Sequence, residues 1–151
     1  MLIKIIKVFT LYSPEQIEDL TAELRRSLGD NIPWKYEEKL AVMLSEFAQN
    51  KSDIVLEKLR NTLTDEWHSK TAKQLPKAIK DQLGDLAKLS KNQKILAIPS
   101  EGRSPAVVAL WWPWDHGGTY SLRIKILENS YENTPEESGV FSWLKSVFIS
   151  S

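Results

Sequence analysis

The side chains best suited to chemistry gather in one short stretch, Trp111-Trp112-Pro113-Trp114-Asp115-His116-Gly117-Gly118. Asp115 beside His116 offers a carboxylate that could orient an imidazole for acid–base work, because histidine changes charge near neutral pH. Adjacency argues against that use. Successive side chains diverge in a strand, and in a turn Asp115 caps backbone N–H groups while His116 faces water. Trp111, Trp112 and Trp114 are three of the six tryptophans in the chain, and aromatic rings with a polar handle are favoured at recognition surfaces. One of Trp111 and Trp112 must face a core whichever way a strand through them is set. Trp114, beyond Pro113, is the ring expected to stand on a turn and meet a partner.

Ser100-Glu101-Gly102-Arg103-Ser104 places an arginine and two hydroxyls in a connecting segment, a combination that can hold a phosphate or carboxylate. Its spacing matches neither G-x-x-x-x-G-K-[ST] nor G-x-G-x-x-G, so a solvated turn is the simpler reading. From Lys70 to Lys94 seven lysines face only Asp81 and Asp85, seven minus two leaving five excess positive charges. On a helix, Lys77, Lys80, Lys88 and Lys91 would form one stripe. Nucleic acid could use it if Arg123, Lys125 and an exposed tryptophan joined the same face. His68 is the only other histidine. A metal site would therefore need carboxylates from distant loops, such as Glu101, and the pattern calls for no metal or cofactor.

Whole-chain balance narrows the classes further. Twenty basic residues match twenty acidic ones, with pI near 6.7, which gives no global field toward nucleic acid or anionic membrane. The absence of cysteine removes disulfides and thiolate chemistry and fits a reducing, cytoplasmic setting. The stretch from Met1 to Phe9 is apolar but carries Lys4 and Lys7. It is too short to span a bilayer and lacks a small-residue cleavage site, so no membrane association is expected. A chain of 151 residues is expected to form one domain over 1–151, burying roughly 70% of its unfolded surface.

These residues need elements to position them. Runs over 105–112 and 119–128 flank the 113–118 turn as a hairpin, and a run over 94–98 precedes it, predicting an antiparallel meander over 94–128. In its last strand Tyr120, Leu122, Ile124 and Ile126 alternate with Thr119, Ser121, Arg123 and Lys125. The first set is expected to be buried and the second wet. The middle run is apolar on both sides and needs a second cover.

Upstream, 13–92 reads as mainly helical. Ser13-Pro14-Glu15-Gln16 is a capping box that opens a helix with Ile17, Leu20, Leu24 and Leu28 inward and Gly29 at its end. Further helices are predicted from Pro33 (Tyr36, Leu40, Met43, Leu44, Phe47), from Ser52 (Val55, Leu56, Leu59, Leu63, Trp67) and from Pro76 (Ile79, Leu83, Leu86). Residues 2–11 favour an edge strand, although Leu2, Ile5, Ile6 and Phe9 also fit helical spacing, and Pro135 opens a terminal helix over 135–149 with Val140, Phe141, Leu144, Val147 and Phe148 inward. The fold class expected is α+β, with four or five helices packed on a small three- to four-stranded antiparallel sheet.

The function favoured by these patterns is a non-catalytic interaction or regulatory module binding a protein. Its contact would be the hairpin from Trp111 to Gly118, with Trp112, Trp114, Asp115, His116 and Arg103, or the C-terminal helix. The first alternative is a nucleic-acid-binding protein using the lysines of 70–94. The second is a small enzyme with a site near Arg103, Asp115 and His116.

Overall fold

Ser13 starts the first element of the structure, a computed structural model that describes residues 12–133. The Gln16 N–H donates to Ser13 Oγ at 3.2 Å and the Ser13 N–H donates to Gln16 Oε1 at 2.8 Å, so both halves of the capping box are formed. Helix α1 (Pro14–Ser27) follows. Its inner stripe is rotated from the expected one: Thr21 is buried, while Leu20 is exposed. The buried Thr21 hydroxyl is satisfied by donating to the Ile17 carbonyl at 2.7 Å, which removes the penalty that would otherwise keep a threonine out.

The largest departure from expectation lies at 33–47. In place of a helix there is a hairpin, β1 (Lys35–Glu37) and β2 (Val42–Ala48), joined through Glu38 to Ala41. Ala41 takes a left-handed φ of 55° and its N–H donates to the Glu38 carbonyl, the geometry of a short hairpin loop built on a type I turn. Four consecutive residues, Val42 to Ser45, are buried. A surface helix cannot turn four successive side chains inward, but a strand covered on both faces can. Trp67, expected at the end of a helix, instead lies in β3 (Asp65–His68), after α2 (Ser52–Thr62) has ended. Helix α3 (Lys77–Leu83) stops at Gly84, which adopts φ 58°, and a 3-10 turn continues to Ala87.

With β4 (Lys94–Ile98), β5 (Val107–Pro113) and β6 (Thr119–Ile126), the strands form one antiparallel sheet in the order β1-β2-β6-β5-β4-β3. Among the described residues the architecture thus has six strands and three α-helices. This corrects the expected four or five helices on a three- to four-stranded sheet. The expected strand over 2–11 and terminal helix over 135–149 lie outside the described residues.

Helices α1 and α2 cover one face, packing Ile17, Leu28, Val55 and Leu59 on Met43, Phe47, Leu96, Ala109, Trp111, Leu122 and Ile124. On the other face Ile79 and Leu83 of α3, with Leu75, Leu127 and Tyr131, pack on Trp67, Ile95, Ala97, Val108 and Leu110. Strand β5 feeds both layers, which accounts for its unbroken apolar run. Tyr131 is buried and donates to Asp65 Oδ2 at 2.6 Å. Burial, aided by that carboxylate, holds the phenol well above its ordinary pKa.

Candidate functional site

The hairpin that joins β5 to β6 is built by its own backbone. Trp114 N–H donates to the Thr119 carbonyl and Gly117 N–H to the Trp114 carbonyl, both at 2.8 Å. Gly117 supplies the φ of 77° that closes the turn, a value that non-glycine residues adopt only at a cost. The Gly118 N–H donates to His116 Nδ1 at 2.9 Å, so the imidazole acts as an acceptor at that nitrogen. The Gly118 carbonyl accepts from Gln49 N–H at 3.0 Å, tying the hairpin to the end of β2.

The three tryptophans take three different environments. Trp111 points to the α1/α2 layer, is 3% exposed, and packs with Tyr120 and Phe47 at centroid distances of 5.3 and 5.8 Å. Trp112 points to the other face, where the Arg123 guanidinium lies 4.7 Å from its ring centroid. The Trp112 Nε1 is buried without a hydrogen-bond acceptor. Trp114 folds back from the turn onto the same face as Trp112, and its Nε1–H donates to Ser121 Oγ at 2.8 Å. Ser121 is the cross-strand partner of Trp112, so the two indoles flank one hydroxyl. Trp114 remains 43% exposed, and the His116 ring meets it edge-on at 5.7 Å.

Beneath these rings the face is polar and partly closed. Arg123 donates from Nε and Nη2 to the two carboxylate oxygens of Glu37 at 2.8 and 3.3 Å. Its side chain is only 15% exposed. Lys125 Nζ donates to the Leu40 carbonyl at 3.0 Å. The expectation that Ser121, Arg123 and Lys125 lie on a wet face is therefore corrected: Ser121 is buried and the two cations are half-buried. The hairpin β1–β2 supplies the carboxylate and carbonyl that accept from them.

Several expected neighbours are not brought together. Arg103 sits on the tight turn from Glu101 to Ser104, closed by reciprocal backbone hydrogen bonds. That turn lies at the opposite end of β5 from Asp115 and His116. A seven-residue strand separates them by roughly 20 Å at the usual rise per residue. Asp115 and His116 are both exposed, and no hydrogen bond joins them. Among the described residues no group of three or more His, Cys, Asp or Glu could hold a metal ion. The lysines are dispersed as well. Lys77 pairs with Asp81 and Lys88 with Asp85, Lys80 reaches the Lys73 carbonyl, and Lys88 and Lys91 lie beyond α3 rather than on it.

No family model, curated protein or solved structure matches this chain. The arrangement therefore has to be read from its own chemistry. It offers aromatic surface and hydrogen-bonding edges, without a nucleophile, base and electrophilic donors converging on one point. Two participants, Glu37 and Ser121, escape a sequence reading. Glu37 meets Arg123 across 86 positions, and Ser121 counts as wet in any one-faced strand. No described helix is long and apolar enough to cross a membrane.

Proposed function

We propose that this protein is a non-catalytic, cytoplasmic interaction module that binds a protein partner through the tip of the β5–β6 hairpin, with Trp114 as its anchor. One observation carries the reading: a tryptophan 43% exposed to solvent is held in one orientation by a hydrogen bond to Ser121 and an edge contact with His116. A large ring already fixed in place loses little conformational entropy when a partner covers it, and tryptophan is among the residues most often found at interface hot spots. His116 and Asp115 are exposed beside it and Trp112 is half-buried, giving the polar rim and apolar centre that recognition surfaces combine. The lack of cysteine and the balanced charge support a reducing setting and a partner chosen by shape rather than by net field.

Comparative capture tests it. Wild-type protein and Trp114→Ala, both checked for folding by thermal unfolding, are immobilised and exposed to the same lysate. At least one species should be retained by the wild type and lost from the variant, and the purified pair should be weakened by about 2 kcal/mol or more. Retention of the same species by both forms refutes the reading.

A further inference from the structure

Gly117 and Gly118 stand side by side in the hairpin turn for different reasons. Gly117 supplies a positive φ, which Gly118 does not adopt. A Cβ at position 118 would instead stand 3.0 Å from His116 Nδ1 and 3.2 Å from its Cε1. Contacts that short would push the imidazole aside, so the second glycine is what lets the ring lie against the backbone. There Nδ1 accepts from the Gly118 N–H at 2.9 Å, and the same ring meets Trp114 edge-on at 5.7 Å. One side chain therefore joins the turn backbone to the exposed indole, and its hold depends on a lone pair. A proton on Nδ1 consumes that lone pair. Two N–H groups would then point at each other across the distance of the former hydrogen bond, and the ring has to leave its seat.

We propose that His116 is a pH-operated latch on Trp114: the neutral imidazole holds the indole in its binding orientation and the imidazolium releases it, so that binding at the hairpin tip weakens as pH falls through the range in which histidine gains its proton. As regulation of binding this rests on the tip being the contact surface; the release of the indole does not. Attraction between an imidazolium and the indole works against release, but it is weakest where the cation is exposed, as His116 is. A ring that moves off Gly118 also gains water around both of its N–H groups. The charged groups around the tip are Asp115 in the turn itself, Glu46 across from Ser121 on β2, Arg123 beside Trp112 and bound by Glu37, and Lys51 after β2, which donates to the Asn31 carbonyl at 2.6 Å. None of those side-chain types ordinarily changes charge near neutral pH, so a response there reports the imidazole.

Nitrogen NMR on the full chain decides the matter. The imidazole nitrogens, the Gly118 amide and the Trp114 indole N–H are followed together from about pH 8 to about pH 5, a range that spans the ordinary titration of histidine. The Gly118 amide and the Trp114 indole should both move with the midpoint of His116. His68, whose Nδ1 accepts from the Lys70 N–H at 3.2 Å on the edge strand β3, is the internal control. In His116→Asn the side-chain oxygen can accept from the same N–H at every pH, and both movements should vanish while His68 still titrates. A Trp114 indole that stays in place while His116 titrates overturns the latch, as does one that moves equally in His116→Asn. Should that variant fail to fold, the wild-type titration of His116 against His68 still decides. The regulatory consequence is read on the partner captured through Trp114: its Kd should rise about threefold or more toward the acid end, the cost of ordering one side chain again, and the rise should be absent in His116→Asn. A Kd that is constant in the wild type while the indole moves overturns the regulation. If no partner is lost on Trp114→Ala, the binding function fails, and the indole titration still stands or falls by itself.

Discussion

Deleting a single N–H distinguishes a preorganised anchor from a tryptophan that merely lies at the surface. Trp114→Phe keeps an aromatic ring at the hairpin tip but removes the donor to Ser121 Oγ at 2.8 Å. Both partners are neutral, so the net worth of the bond is about 0.5–1.5 kcal/mol. Ser121 is 5% exposed, and its hydroxyl therefore has limited water to fall back on, which places the expectation near the middle of that range. The smaller phenyl ring also loses packing. A cycle through Trp114→Phe, Ser121→Ala and the double variant cancels that loss. Urea unfolding should give a coupling energy of about 1 kcal/mol. For a chain of this length the same energy moves the thermal midpoint by roughly 2–4 °C. The functional consequence is sharper still. Ser121 is too buried to touch a partner, yet Ser121→Ala should weaken partner binding, because an indole freed to change rotamer must be ordered again on association. Additivity of the single variants to within about 0.3 kcal/mol, or unchanged binding by Ser121→Ala, refutes the idea that this bond fixes the anchor.

Two other outcomes follow from the packing and the charges. Ser45 is 1% exposed in the α1/α2 layer with no partner for its Oγ, so Ser45→Ala should raise stability by about 1 kcal/mol in denaturant unfolding; a loss of stability would show that the hydroxyl is satisfied. Arg60 donates to both oxygens of Glu66 at 2.7 and 2.8 Å, and these hydrogen bonds, against the cost of burial, hold the Glu66 carboxyl below the ordinary carboxylate range. A depressed folded-state pKa adds stability that is present above that range and is lost as pH falls through the lower folded value. Glu66→Gln should therefore flatten the stability-against-pH curve there, and curves of equal slope would remove the pair from the account of acid unfolding.

Local chemistry was legible wherever it closed over a few residues. The capping box at Ser13 needs only Gln16, and the hairpin loop needs only Pro113, Gly117 and the alternation of β6. What depended on distant pairing was not legible. Tyr36, Leu40, Met43, Leu44 and Phe47 satisfy a helical period as well as a hairpin, and the deciding fact is that Met43 lies opposite Ile124 and Phe47 opposite Tyr120. Those partners are 81 and 73 positions away in sequence, beyond any local pattern. The same omission misplaced Arg123 and Lys125, because the wet face assigned to them is wet only if β1 and β2 do not exist. Trp67 had the right spacing to extend α2, but Thr62 ends that helix and Asp65 begins an edge strand paired with β4.

Gly84 links this architecture to the candidate site. Its positive φ ends α3 after seven residues, a length of about 10 Å. Neighbouring strands are about 4.8 Å apart, so a helix of that length can lie over two or three strands and no more. Here those are β3, β4 and β5, through Trp67, Ile95, Ala97, Val108 and Leu110. On the β6-β2-β1 half of the same face, Arg123 pairs with Glu37 and lies over the Trp112 ring. A guanidinium stacked on an indole and bound by a carboxylate can occupy a partly desolvated face without leaving a charge unpaired. Trp114 closes the hairpin end of that region through Ser121. An early stop in one helix and a polar, aromatic surface on the adjoining strands are thus two aspects of one packing solution, and the exposed edge of that surface is where Trp114 meets solvent.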